Sequence, residues 1–66
     1  MIIGQRIKEL RKERNLNQVN FAAALNLDKS TVAKYETNKT IPSVPVLMAI
    51  AKFFEVSTDY LLGLED

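Results

Sequence analysis

Cysteine, histidine and tryptophan are all missing from this chain of 66 residues. Without cysteine there is neither a disulfide framework nor a thiolate metal site, and without histidine there is no imidazole to serve as metal ligand or proton shuttle. Two glycines are too few for a glycine-rich loop that cradles phosphates. Long apolar runs are lacking too. The longest, Val44 to Ala51, falls far short of the ~20 residues needed to cross a bilayer, and the opening Met1-Ile2-Ile3 has neither the basic region nor the apolar stretch of a secretory signal. The expectation is a cytoplasmic protein with no cofactor, no metal, no membrane association and no small-molecule ligand. An enzyme is disfavoured on the same grounds. Asp59 and Glu55 could be drawn as an acid and a base, but helix-end charge and solvation explain them more simply.

What is present suits one small globular domain over residues 1–66. Hydrophobic residues make up 47% and charged residues 26%, enough apolar material for a core and too much for a disordered tail. A chain this short buries only about 60% of its unfolded surface, so the core must be economical. The net charge of +1 hides an uneven distribution. Residues 1–40 carry eight basic against four acidic side chains, whereas residues 41–66 carry one against four. Such asymmetry can present one attractive face to phosphates while the remainder stays acidic, although chance placement of solvated charges gives the same count.

The apolar spacing predicts five short helices and no strand. Ile3, Ile7 and Leu10 mark an amphipathic first helix from about Ile3 to Arg14, ending at Asn15. A second helix starts after Asn17, a favoured N-cap, buries Phe21, Ala22 and Leu25, and stops at Asn26. A third, capped by Asp28, covers about Lys29 to Thr37. Pro42 disfavours helix at Ile41, so residues 38–43 form a loop, with Ser43 placed to cap a fourth helix that buries Val44, Leu47, Ile50, Ala51 and Phe54. Ser57 caps a last helix holding Tyr60, Leu61 and Leu62, which Gly63 ends.

The second and third helices are joined only by Asn26, Leu27 and Asp28. Helices that close must cross steeply, with apolar contacts on both arms, which Ala22, Leu25, Leu27, Val32 and Tyr35 provide. That is helix-turn-helix geometry, although a plain helical hairpin shares the spacing. With Val32 and Tyr35 turned inward, the outer face of the third helix holds Lys29, Ser30, Ala33, Lys34 and Thr37, none acidic. Lys34 can donate to guanine O6 and N7, Ser30 can pair with several bases, and Ala33 can pack on a thymine methyl. Gln18, opening the second helix beside exposed backbone amides, can hold a phosphate, as can Lys39 and Thr40 in the following loop. Each of these alone could equally be a solvated surface residue; it is their common face that favours contact.

Beyond these local patterns, the chain resembles the Cro and phage-repressor type of helix-turn-helix family, also called XRE-like. The similarity rests on Leu16-Asn17-Gln18, Phe21-Ala22, Leu25-Asn26-Leu27, Ser30-Thr31-Val32-Ala33-Lys34-Tyr35-Glu36, Pro42-Ser43 and Val56-Ser57-Thr58-Asp59-Tyr60-Leu61-Leu62-Gly63. The resemblance implies an all-α, compact five-helix fold whose third helix enters the major groove of double-stranded DNA. It puts Gln18 on the DNA backbone and Lys29, Ser30 and Lys34 at base-reading positions; with the face and loop residues above, the expected DNA-contacting set is Gln18, Lys29, Ser30, Thr31, Ala33, Lys34, Thr37, Lys39 and Thr40. It also implies an ion pair between Arg11 and Glu36, against which stands the alternative of two separately solvated charges. The sequence departs from the family where glycine is usual, at Asn26 and Asn38; asparagine is the next residue able to take that backbone.

The function so implied is a transcriptional repressor binding a palindromic operator as a homodimer. Apolar residues that the helical pattern does not need inside include Val19, Ile41, Val46, Met48 and Phe53. Of these, Ile41, Val46 and Phe53 are the expected dimer contact. The competing expectation is a protein-interaction module such as an antitoxin-like subunit, which the lack of a toxin-wrapping tail before Asp66 makes less apt.

Overall fold

In the computed structural model, which describes residues 1–65, the chain forms α1 (Ile2–Glu13), α2 (Gln18–Ala24), α3 (Lys29–Glu36), α4 (Val44–Phe54) and α5 (Thr58–Leu62). The expected helices are therefore all present, with ends within about two residues of their expected places. No helix is long and apolar enough to cross a membrane among the described residues.

One backbone device ends every helix. Asn15, Asn26, Asn38, Glu55 and Gly63 each take the left-handed conformation, with φ between 57° and 79°. In each case the residue after it donates its amide to a carbonyl five positions back: Leu16 to Arg11, Leu27 to Ala22, Lys39 to Lys34, Val56 to Ala51 and Leu64 to Asp59. This is the Schellman arrangement, which satisfies carbonyls that a helix end would leave orphaned. Asparagine serves at three of the five sites because its short polar side chain tolerates this backbone better than other non-glycine residues do. At the opposite ends, Asn17 accepts from the Asn20 amide and Ser57 from the Tyr60 amide. Asp28 and Ser43 stand at N-cap positions in extended backbone, as expected, but their side chains make no capping hydrogen bond.

A single core joins the five helices. Ile3 and Ile7 from α1, Phe21 and Ala22 from α2, Val32 and Tyr35 from α3, Leu47, Ile50, Ala51 and Phe54 from α4, and Leu61 from α5 are all buried. Between α2 and α4 the rings of Phe21, Phe53 and Phe54 meet at centroid distances of 5.1 to 5.7 Å, the range in which aromatic pairs attract beyond simple burial.

Val46 and Phe53, two of the three residues expected in a dimer contact, are half-buried and pack partly against the core. One expectation for α4 is corrected: Val44, expected inside, is 68% exposed. The cause is that α4 is apolar nearly all the way round, so its sequence does not mark the inner face. Its exposed large hydrophobic residues are Val44 and Met48, one turn apart, with Ile41 in the preceding loop.

Candidate nucleic-acid interface

The turn between α2 and α3 sets the direction of α3. Leu25 closes α2, Asn26 reverses the backbone at φ 60°, and Leu27 drops into the edge of the core. The chain is extended at Asp28, whose carbonyl accepts from the Thr31 and Val32 amides to start α3. The connection thus spans four residues, Leu25 included.

Across α3, Val32, Tyr35 and Glu36 are buried, Thr31 and Ala33 are half-buried, and Lys29, Ser30, Lys34 and Thr37 are exposed. The face expected to meet DNA is therefore directed away from the core. The Thr37 hydroxyl, however, donates back to the Ala33 carbonyl at 2.9 Å, leaving only its oxygen lone pairs for an outside partner. Lys39 and Thr40 follow on the exposed loop. Glu36 is the single acidic residue of α3, and its burial leaves the outer face free of carboxylates.

Holding Glu36 inside requires a cation, and Arg11 supplies it. Arg11 Nε donates to Glu36 Oε2 at 2.6 Å and Nη2 donates to Oε1 at 3.0 Å, while Nη1 donates to the Leu16 carbonyl at 2.8 Å. The two side chains are 9% and 3% exposed, so the pair is a buried, bidentate bridge rather than the surface contact that its charges alone would suggest. The hydrogen bond to Glu36 raises the proton affinity of the Arg11 guanidinium above the ordinary arginine range; burial opposes this and the carboxylate charge adds to it. Gln18 joins the same carboxylate, its Nε2 donating to Oε1 at 3.1 Å. The cluster therefore ties α1, α2 and α3 together at the opening of the helix-turn-helix. Gln18 is half-buried and spends one amide hydrogen on Glu36, which leaves its second N–H and its Oε1 for another partner.

Other supporting residues were not legible beforehand. Gly4 is buried where α1 crosses the end of α3, and a β-carbon there would collide with the carbonyl oxygens of Tyr35 and Glu36. Arg6 Nη1 donates to the carbonyls of Tyr60 and Glu65 at 2.7 and 2.8 Å, and its guanidinium lies 4.1 Å from the Tyr60 ring centroid. Both contacts join positions far apart in the chain, for which local periodicity carries no signal.

Fold and face together define a helix-turn-helix module: a short helix, a left-handed asparagine turn, and a second helix presenting an acid-free outer surface. The chain belongs to the helix-turn-helix family, whose model matches residues 7–61. Among curated proteins it is similar to the immunity repressor protein of Bacillus phage phi105, 40% identical over 98% of this chain and 45% of that protein. It is likewise similar to the transcriptional regulator ImmR of Bacillus subtilis strain 168, 33% identical over the whole chain and 52% of that protein. The chain spans about half the length of these curated relatives. Among solved structures, the P22 c2 repressor in complex with synthetic operator 9T superposes with a TM-score of 0.86 at 26% identity, covering 92% of each chain.

Proposed function

We propose that this chain is a sequence-specific double-stranded DNA-binding module of a transcriptional repressor, working as a single domain with no catalytic step, in the cytoplasm. The observation that carries the proposal is the outer face of α3. Lys29, Ser30 and Lys34 are exposed on it, and its one carboxylate, Glu36, is buried against Arg11. Such a face can enter a major groove without repelling phosphates, with Lys34 and Ser30 reading base edges and Ala33 meeting a thymine methyl. Thr31 and Thr37 border the same surface. Lys39 and Thr40 then serve the backbone, where cations position a protein without reading sequence. Support also comes from the P22 c2 repressor, a structural neighbour solved with an operator.

A homodimer is part of the same reading. One recognition helix contacts only a few base pairs, whereas two placed about 34 Å apart meet successive major grooves. The exposed hydrophobic residues Ile41, Val44 and Met48 mark the surface through which we place the second copy, in preference to the half-buried Val46 and Phe53. The deciding experiment is selection from a randomised duplex library at two salt concentrations. An enriched palindrome with half-sites one helical turn apart and a steep salt dependence is the expected result. Retention without any enriched sequence, or no retention at low salt, would overturn the proposal and favour a protein-interaction module, for which the same exposed hydrophobic residues would mark the docking surface.

A further inference from the structure

The five helix ends share a backbone but not their side chains. In the Schellman arrangement the residue after the left-handed position is commonly apolar and packs back on its helix. Three of the five ends follow this, with Leu16, Leu27 and Val56 packed against the core, while Leu64 after α5 is apolar but exposed. The end of α3 departs from it: the residue there is Lys39, which is exposed. That end therefore lacks the packed apolar anchor that the ends of α1, α2 and α4 have, and it is the one end where the position is charged.

Asn38 supplies a different anchor. Its Oδ1 accepts from the Gly4 amide at 3.1 Å, and its Nδ2 donates to the Met1 carbonyl at 2.9 Å. Met1 offers α1 no side-chain cap, so Asn38 caps the first turn of α1 from another part of the chain, taking the bond that an N-cap side chain would make. Asn15 and Asn26 hold the same backbone conformation, yet among the described residues their side chains make no hydrogen bond. The absence of a side chain at Gly4 lets α1 approach the last carbonyls of α3 closely enough for this contact.

We propose that Asn38 is a positioning residue for Lys39: its side chain pegs the end of α3 to α1, replacing the apolar anchor and freeing the next position to carry a cation to a DNA phosphate. This rests on the duplex-binding function proposed above. A residue needed only for the helix stop would be replaced by glycine without loss, because glycine takes the left-handed backbone at no steric cost. Asn38→Gly is therefore the informative variant, since it keeps the turn and removes both side-chain bonds.

The experiment combines amide hydrogen exchange with duplex binding for the wild type, Asn38→Gly, Lys39→Ala and the double variant, well below their melting temperatures. In Asn38→Gly the Gly4 amide should exchange about fivefold faster, the value of one ordinary hydrogen bond. Affinity for a mixed-sequence duplex should fall about three- to tenfold, as for coupled neighbours, and this loss should shrink below about twofold once Lys39 is already alanine. An equal loss in both backgrounds would show that Asn38 does not act through Lys39. An unchanged Gly4 amide would remove the peg itself. Wild-type protein that binds no duplex would overturn the DNA reading and with it the phosphate role of Lys39, while the Gly4 exchange rate would separately decide whether the peg exists.

Discussion

Replacing Arg11 by methionine tests the centre of the site most directly. Methionine keeps an unbranched apolar stem but removes two hydrogen bonds to Glu36 and one to the Leu16 carbonyl. Glu36 would then be a buried carboxylate held by Gln18 alone. Stranding one partner of a buried ion pair costs about 3–5 kcal/mol. A domain of this length has a total stability of about 3–10 kcal/mol, at ~0.05–0.15 kcal/mol per residue. The loss is thus about half of the whole or more, and the melting temperature should drop on the order of 20 °C at ~4–8 °C per kcal/mol. Urea unfolding followed by helical circular dichroism measures it, with an unchanged slope showing that the two-state comparison holds.

The companion variant Arg11→Met with Glu36→Leu removes both charges and should recover most of the loss, because apolar replacement of a buried pair is commonly neutral or stabilising. A single-variant cost below about 1 kcal/mol, typical of exposed pairs, would refute the reasoning. So would a double variant no more stable than the single. Because Glu36 raises the proton affinity of Arg11, the arginine's contribution is complete below its unfolded-state range and is lost only as pH rises above it. The wild-type pair should therefore lose nothing through deprotonation of Arg11 between neutrality and about pH 10.

Lys34→Ala should relax base preference at one position per half-site and cost ~1–3 kcal/mol on the selected sequence, whereas Lys39→Ala should weaken all duplexes alike and lower the salt slope by about one; titrations on selected and random DNA distinguish them. Glu55 is an exposed non-glycine residue at φ 58°, so Glu55→Gly should raise stability by up to ~1 kcal/mol in thermal unfolding, the relief of left-handed strain exceeding glycine's greater unfolded-state entropy. Gly4→Ala has the opposite sign: helix propensity alone would gain ~1 kcal/mol, but the collision with the end of α3 should leave a net loss of about 1–3 kcal/mol, and a rise in melting temperature would contradict the close approach. Val44→Glu with Met48→Glu should abolish self-association in sedimentation and weaken operator binding without lowering the melting temperature, since both residues are exposed.

How much of this could be read from the sequence varied with the range of the interaction. The helices were legible because four of the five stops and several starts are local: Asn15, Asn26, Asn38 and Gly63 lie where the backbone turns left-handed, and Asn17 and Ser57 cap in place, whereas Glu55 at the end of α4 carries no such signal. The outer face of α3 was legible because Val32 and Tyr35 fix its inner one. On α4, apolar residues on every side left Val44 and Val46 interchangeable by periodicity, and only packing against the core separates them. The Arg11–Glu36 pair followed from resemblance, but its burial and its link to Gln18 required three helices in place. The contacts of Asn38 with Gly4 and of Arg6 with Tyr60 span 34 and 54 positions, and nothing in either neighbourhood announces the other.

Those spans bear on how the chain assembles during synthesis. Helix α1 is made before its partners within the domain: Glu36 is 25 positions beyond Arg11, and Tyr60 is 54 beyond Arg6. At roughly 5–20 residues per second, the last of these partners follows by about 3–11 s, far longer than the microsecond over which an isolated helix forms and melts. Helix α1 therefore waits while α3 is made, and only the arrival of α5 closes the circle. Consolidation of this domain is then a late event that depends on nearly all of the residues from α1 to α5.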